Sequence, residues 1–193
     1  MNLLQCYAGI EKQVCDEIRA WSSQVLEEQQ EYFNKLPACP YAKAAWERDR
    51  VAITFKKGEG WQDLWSAISQ FPDGIDIGMV VDLDYQTPPD SFHKFLDQVN
   101  EAISCGTFID RDIWVMGFHP EDEANSDIDS QGFTPLFEED YTIIFVQRLT
   151  KLHESADALK PLGYYDLHFS RTDAADIWRK REDLYRRLKK WQE

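Results

Sequence analysis

The 193-residue chain has no apolar run of about 18 residues, so it offers no candidate transmembrane helix. Its four cysteines, Cys6, Cys15, Cys39 and Cys105, stand far apart. They form no Cys-x-x-Cys pair, which argues against a disulfide framework and a paired-cysteine zinc site. His-Glu-x-x-His, Gly-x-Ser-x-Gly, a Walker loop and the glycine-rich dinucleotide fingerprint are missing too, which argues against a nucleotide-driven enzyme or a standard serine hydrolase. The opening Met1-Asn-Leu-Leu-Gln-Cys-Tyr-Ala8 lacks the basic start and long apolar stretch of a secretion signal. A reducing, cytoplasmic setting is the expectation.

Positive charge is scarce and uneven. Lys and Arg number 21 against 35 Asp and Glu, a net charge of −14. Such a surface repels a nucleic-acid backbone and an anionic membrane, so neither is an expected partner. A small molecule, a cation or a second copy of the chain fits better. No Lys or Arg occurs between Pro120 and Gln147, whereas Arg179, Lys180, Arg181, Arg186, Arg187, Lys189 and Lys190 crowd the C-terminal end. That split would let a basic helix of one molecule meet an acidic surface of another.

What is present reads as one α/β domain, with α+β left open. Ile10, Val14, Ile18, Trp21, Val25 and Phe33 recur at helical steps and predict a helix from about 9 to 34, within an N-terminal segment 1–36. Leu36-Pro-Ala-Cys-Pro40 ends it, since each proline disfavours helical geometry in the residue before it. The sheet core falls in 50–169. Arg50 to Phe55 predicts a strand, Trp61 to Phe71 a helix, and Ile75 to Leu83 a strand buried on both faces. A helix then starts at Pro88 or Pro89, and Asp112 to Phe118 is a further strand. This β-α-β-α-β order implies a layered sheet resembling a ferredoxin-like one. A fourth strand is expected at Tyr141 to Gln147 and a helix at Thr150 to Leu159. The segment 170–193 predicts a basic helix, with Ser170, Thr172 and Asp173 at its start and cations at the end its dipole favours.

Two proline-flanked residues stand out as candidates for chemistry. Pro40 fits the first position of a short helix through Tyr41 to Trp46, which puts Cys39 at its cap. There the positive end of the dipole would favour thiolate, making Cys39 a candidate nucleophile or soft metal ligand. The plainer reading is a small buried residue after a turn. His119, in Phe118-His-Pro120, falls just past a strand at the edge where open α/β sheets bind ligands. It is a candidate base or metal ligand, or else a histidine that closes the strand end by bonding a backbone carbonyl. Asp82 and Asp84 close the preceding strand and, by alternation, face one side. With His119 they could hold a divalent metal ion or orient the imidazole; two carboxylates solvating a loop is the alternative.

Weaker signals complete the set. Asp127-Ile-Asp129-Ser-Gln131-Gly132 with Glu138 has EF-hand spacing inside the acidic segment 121–132 and beyond it. Gln131 and Pro135 depart from that pattern, and a solvated acidic loop satisfies the same spacing. His153, beside Glu154, and His168, among Tyr164, Tyr165 and Phe169, could each complete a metal site or serve as structural histidines.

Leu36-Pro-Ala-Cys-Pro-Tyr-Ala42 resembles the Leu-Cys-Pro-Phe-Ala element of an uncharacterised bacterial family of unknown function, and Phe118-His-Pro120 is similar to that family's Phe-His-Pro element. Order and spacing agree over roughly residues 10 to 160. The family's Asn-Arg-Ser-Pro segment has no equivalent; Phe133-Thr-Pro-Leu136 comes nearest and lacks the arginine. The resemblance implies a site at Cys39 and His119 without naming a reaction. Two functions stay open: a small-molecule enzyme whose pocket holds Cys39 and His119, with or without a metal, and a non-enzymatic interaction protein that assembles through its acidic and basic surfaces.

Overall fold

The computed structural model describes residues 3–107, 110–122, 133, 140–165 and 172–193. The expected α/β fold is present. Helix α1 (Leu3–Trp21) runs into a π turn at Ser22–Leu26. The helix was expected to reach 34, but past Val25 the chain turns polar at Glu27 to Glu31 and gives no further apolar face. Strands β1 (Gln29–Gln30) and β2 (Leu36–Pro37) form a short antiparallel pair instead. Asn34 and Lys35 make the reversal with φ of 55° and 63°, which a continuing helix does not permit.

Helix α2 (Ala42–Glu47) follows, then the core: β3 (Val51–Phe55), α3 (Gln62–Ser69), β4 (Ile77–Asp82), α4 (Pro89–Ser104), β5 (Ile113–Phe118), β6 (Thr142–Arg148) and α5 (Leu149–Leu159). Helix α6 (Thr172–Gln192) is the last element. The four-stranded sheet has the order β3-β4-β6-β5. Strands β3 and β4 are parallel, while β6 runs antiparallel to both β4 and β5. The sheet is therefore mixed. The β4-α4-β5 crossover is split by β6, which enters between its two parallel strands, the element shared with ferredoxin-like folds.

Alternation sorts the sheet's side chains onto two cores. Val80, Ile113, Val115, Ile144 and Val146 pack with Leu64 and Ile68 of α3 and with Phe92, Leu96, Val99 and Ile103 of α4. Met79, Val81, Tyr141 and Ile143 pack on the other face with Val14 and Ile18 of α1. This explains why β4 is a near-continuous apolar run: both its faces are covered. Helix α4 lies so close on β5 that a side chain at Gly117 would overlap Phe92 and Leu96. Helix α6 adds a third cluster, placing Leu184 and Leu188 against Trp114 and Leu149.

The basic helix finds acidic partners within its own chain. Lys180 pairs with Asp97 at 2.6 Å, and Arg187 pairs with Glu101 at 2.7 Å and Asp183 at 2.8 Å. Among the described residues no helix is long and apolar enough to cross a membrane. The EF-hand-like residues Asp127, Asp129, Gln131, Gly132, Pro135 and Glu138 lie outside the described residues, as does His168.

Candidate functional site at the carboxyl edge of the sheet

Strands β3, β4 and β5 point the same way, so their carboxyl ends share one edge, where β6 begins. The register aligns Phe55 with Val81, Asp82 with Thr142, and Phe118 with Ile143. One step outward, Lys56, Asp82, Thr142 and His119 therefore make a row across the sheet in strand order. Alternation puts all four on the face that carries Val80 and Ile144 and is covered by α3 and α4.

The row is buried and largely bonded to itself and to backbone. Lys56 Nζ lies 2.9 Å from Asp82 Oδ2, with both side chains less than a tenth exposed. The Lys56 ammonium also sits over the Trp61 ring, 5.1 Å from its centre, and Trp61 stacks on Phe95 at 4.8 Å. The other Asp82 oxygen accepts the Asp84 N–H at 3.1 Å. Asp84 is exposed and lies in a turn, because β4 ends at Asp82. The expected alternation of Asp82 and Asp84 on one strand face thus stops two residues short of Asp84. The Thr142 hydroxyl is buried and has no hydrogen-bond partner among the described residues.

His119 is fully buried. Its Nε2–H donates to the Thr87 carbonyl at 2.8 Å, and Nδ1 accepts the Glu121 N–H at 3.2 Å. Tyr85 packs edge-on against the ring at 5.0 Å, and Phe92 lies at 5.6 Å. With both nitrogens bonded to backbone, the ring has neither a free lone pair for a metal nor one for a substrate proton. The environment matches the strand-closing alternative. Among the described residues no three His, Cys, Asp or Glu side chains are grouped to hold a metal ion, and the expected set of Asp82, Asp84 and His119 is not drawn together.

Beside His119 stands a pair the motifs did not point to. Helix α4 begins with Pro88 at its cap and Pro89 at its first position, which suits proline's fixed φ and missing donor. Its first turns carry His93. The His93 Nε2 lies 3.0 and 2.9 Å from the two Asp122 carboxylate oxygens. The His93 side chain is 44% exposed and that of Asp122 20%. The His93 Nδ1 has no hydrogen-bond partner among the described residues. Asp122 also accepts the His119 backbone N–H at 3.3 Å, and its own N–H donates to the His119 carbonyl at 3.1 Å. The surroundings are acidic. Burial, and then the charges of Asp140 and Glu121, push the Tyr85 hydroxyl above its usual range.

Cys39 sits elsewhere, in the connection between β2 and α2. Its N–H donates to the Leu26 carbonyl at 2.9 Å, and its carbonyl accepts from Ala42 at 3.1 Å. Helix α2 is capped by Tyr41, so Pro40 precedes it and Cys39 is not at the cap. Burial pushes the Cys39 thiol above its usual range, although the Tyr41 and Ala42 N–H groups pull the other way. Desolvation works against the expected thiolate, while the two backbone donors at the start of a helix of only six residues work for it. The backbone partners of Cys39 and the bonding partners of His119 described above have no residue in common. His153 lies 2.8 Å from Glu182, without a directed hydrogen bond between them, and 3.3 Å from Asp157, and it stacks on Tyr185 at 3.7 Å.

Sequence reading passed over Lys56, Thr142, His93 and Asp122. Lys56 had a usable signal, a charge placed directly after a strand. Asp122 had another, lying three residues past His119 in the same turn. His93 had neither, since its partner lies 29 residues away. No protein-family model, curated protein or solved structure matches this chain.

Proposed function

We propose that the chain is a small-molecule enzyme that uses His93 and Asp122 as a general acid–base pair at the carboxyl edge of its sheet. One observation carries this reading: the His93 ring is half-exposed and fixed through Nε2 by both oxygens of one carboxylate. An acceptor-only partner holds the proton on Nε2 and leaves the Nδ1 lone pair for a substrate proton. The carboxylate also stabilises the imidazolium formed when that proton arrives. The edge itself is where open α/β sheets bind ligands. Histidine chemistry at this edge was expected from His119; the reading moves it to His93 and leaves Cys39 out.

Assembly through acidic and basic surfaces has less to support it, because Lys180 and Arg187 are already paired with Asp97 and Glu101. A reducing, cytoplasmic setting goes with the enzyme reading, since Cys15, Cys39 and Cys105 are free thiols. The test is a panel of p-nitrophenyl esters, phosphoesters and glycosides, run on wild type, H93A and D122N. We expect turnover of at least one class and a loss in kcat of about 10²–10⁴-fold in H93A. D122N falls between H93A and wild type, and Tm stays within a few degrees throughout. No turnover of any class, or an H93A variant as active as wild type, overturns the reading.

A further inference from the structure

We propose that His119 is a positioning residue: it clamps the turn that carries Asp122 to the start of the helix that carries His93. This rests on the reading of His93 and Asp122 as the acid–base pair.

The two members of that pair arrive on separate pieces of chain. His93 rides on α4, which the segment 83–88 connects to β4. Asp122 rides on the turn after β5. The His119 ring touches both pieces. Its Nε2–H holds the Thr87 carbonyl, the last backbone acceptor before the Pro88 cap of α4. Its Nδ1 holds the Glu121 N–H and so closes the turn one residue before Asp122. The His119 backbone bonds Asp122 twice, once to the carboxylate and once to the N–H. Tyr85 of the connection and Phe92 of the helix both contact the ring from the α4 side. The imidazole is fully buried and bonded to backbone at both nitrogens, which leaves it little freedom to move.

The consequence is geometric. His93 is half-exposed, and its ring is held by the Asp122 carboxylate and by the edge-on contact with Phe92 at 5.3 Å. Its tautomer and direction depend on where Asp122 sits, and Asp122 sits where the His119 turn puts it. A misplacement of about 1 Å in a catalytic pair is enough to cost about 10²-fold in rate. Glutamine at 119 keeps an N–H that reaches towards Thr87; asparagine keeps an acceptor near the Glu121 N–H. Each preserves one half of the clamp.

Long-range proton–nitrogen NMR of the His93 ring in wild type, H119A, H119Q and H119N reads this directly, without a substrate. Wild type should show a single His93 tautomer, protonated at Nε2. H119A should show averaging between tautomers, with H119Q and H119N in between, and amide signals far from the edge unchanged. On any substrate found, kcat should fall about 10-fold or more in H119A, with KM changing less. If H119A does not fold, the Gln and Asn variants carry the test. An unchanged His93 ring in every variant that folds overturns the proposal. Failure of the acid–base reading looks different, because H93A would then stay active whatever the His93 ring does in the His119 variants.

Discussion

Cys39 and His119 are each followed by proline, each partly or wholly buried, and each held by backbone hydrogen bonds, yet their surroundings differ. Around His119 the ends of three parallel strands meet the start of a fourth, and the fold delivers Lys56, Asp82 and Thr142 into one row with it. Cys39 bonds Leu26, and the adjoining Ala38, whose carbonyl accepts the Tyr164 hydroxyl, belongs to an apolar cluster with Phe33, Leu36, Leu159, Tyr164 and Tyr165. A proline beside a reactive residue says that the backbone is fixed there. Strand order and direction decide whether other polar groups arrive at the same place. The carboxyl edge collects them because β3, β4 and β5 all end there; the connection before α2 has no such geometry.

The largest expected effect tests whether that edge is held by buried charge. Removing Asp82 leaves Lys56 without its carboxylate in a site where both side chains are less than a tenth exposed. Asp82→Ala should cost about 3–5 kcal/mol, the range for breaking one side of a buried pair. Urea denaturation measures it as a lower midpoint at unchanged m. Replacing both partners, as in Lys56→Met with Asp82→Leu, should cost less than Asp82→Ala alone, because no charge is then stranded. A cost below about 1 kcal/mol for Asp82→Ala would mean that the edge is as well solvated as a surface pair, and the contrast with the Cys39 region would dissolve.

Cys39 supplies the intermediate effect. Burial is the largest influence on its thiol and raises it. A raised folded value means that the native state holds the proton more tightly than the unfolded chain. Its contribution to stability is therefore complete below the unfolded thiol value and is lost as pH rises through the folded one. At pH 7, iodoacetamide should label the exposed Cys105 well before Cys39, with Cys39 gaining only at alkaline pH. Cys39→Ala should cost about 1 kcal/mol. Mass-spectrometric labelling in which Cys39 reacts first at pH 7 would restore the thiolate and put chemistry back at that end of the molecule.

How much of this was legible in advance follows from the range of each signal. The β4 run from Ile77 to Asp82 and the α4 stripe of Phe92, Leu96, Val99 and Ile103 are local patterns, and both elements stand where periodicity put them. The insertion of β6 between β4 and β5 is not local. It depends on the pairings Phe118 with Ile143 and Asp82 with Thr142, which no spacing along the chain encodes. That insertion is also what separates Asp82 from His119 by one strand. Phe33 fits the apolar stripe of the N-terminal helix, so the pattern runs past the true helix end, whereas in the structure Phe33 stacks on Tyr164 at 5.1 Å. The site was half legible for the same reason. His119 has a strand end as its signal, but His93 and Asp122 become a pair only once α4 and the turn after β5 are packed together.

Thr142 gives the smallest effect and the finest test of the edge. It lies in the row between Asp82 and His119, buried, with a hydroxyl that has no partner among the described residues. Valine has nearly the same shape and lacks the polar atom, so Thr142→Val removes the cost of desolvating a group that makes no bond. The change should be neutral or stabilising by up to about 1 kcal/mol. It should leave the His93 ring signals as they are, because Thr142 belongs to the row and not to the clamp. A loss of more than about 1 kcal/mol would mean that the hydroxyl is bonded in solution. The row would then be a continuous polar network from Lys56 to His119, not two bonded ends with an orphan between them.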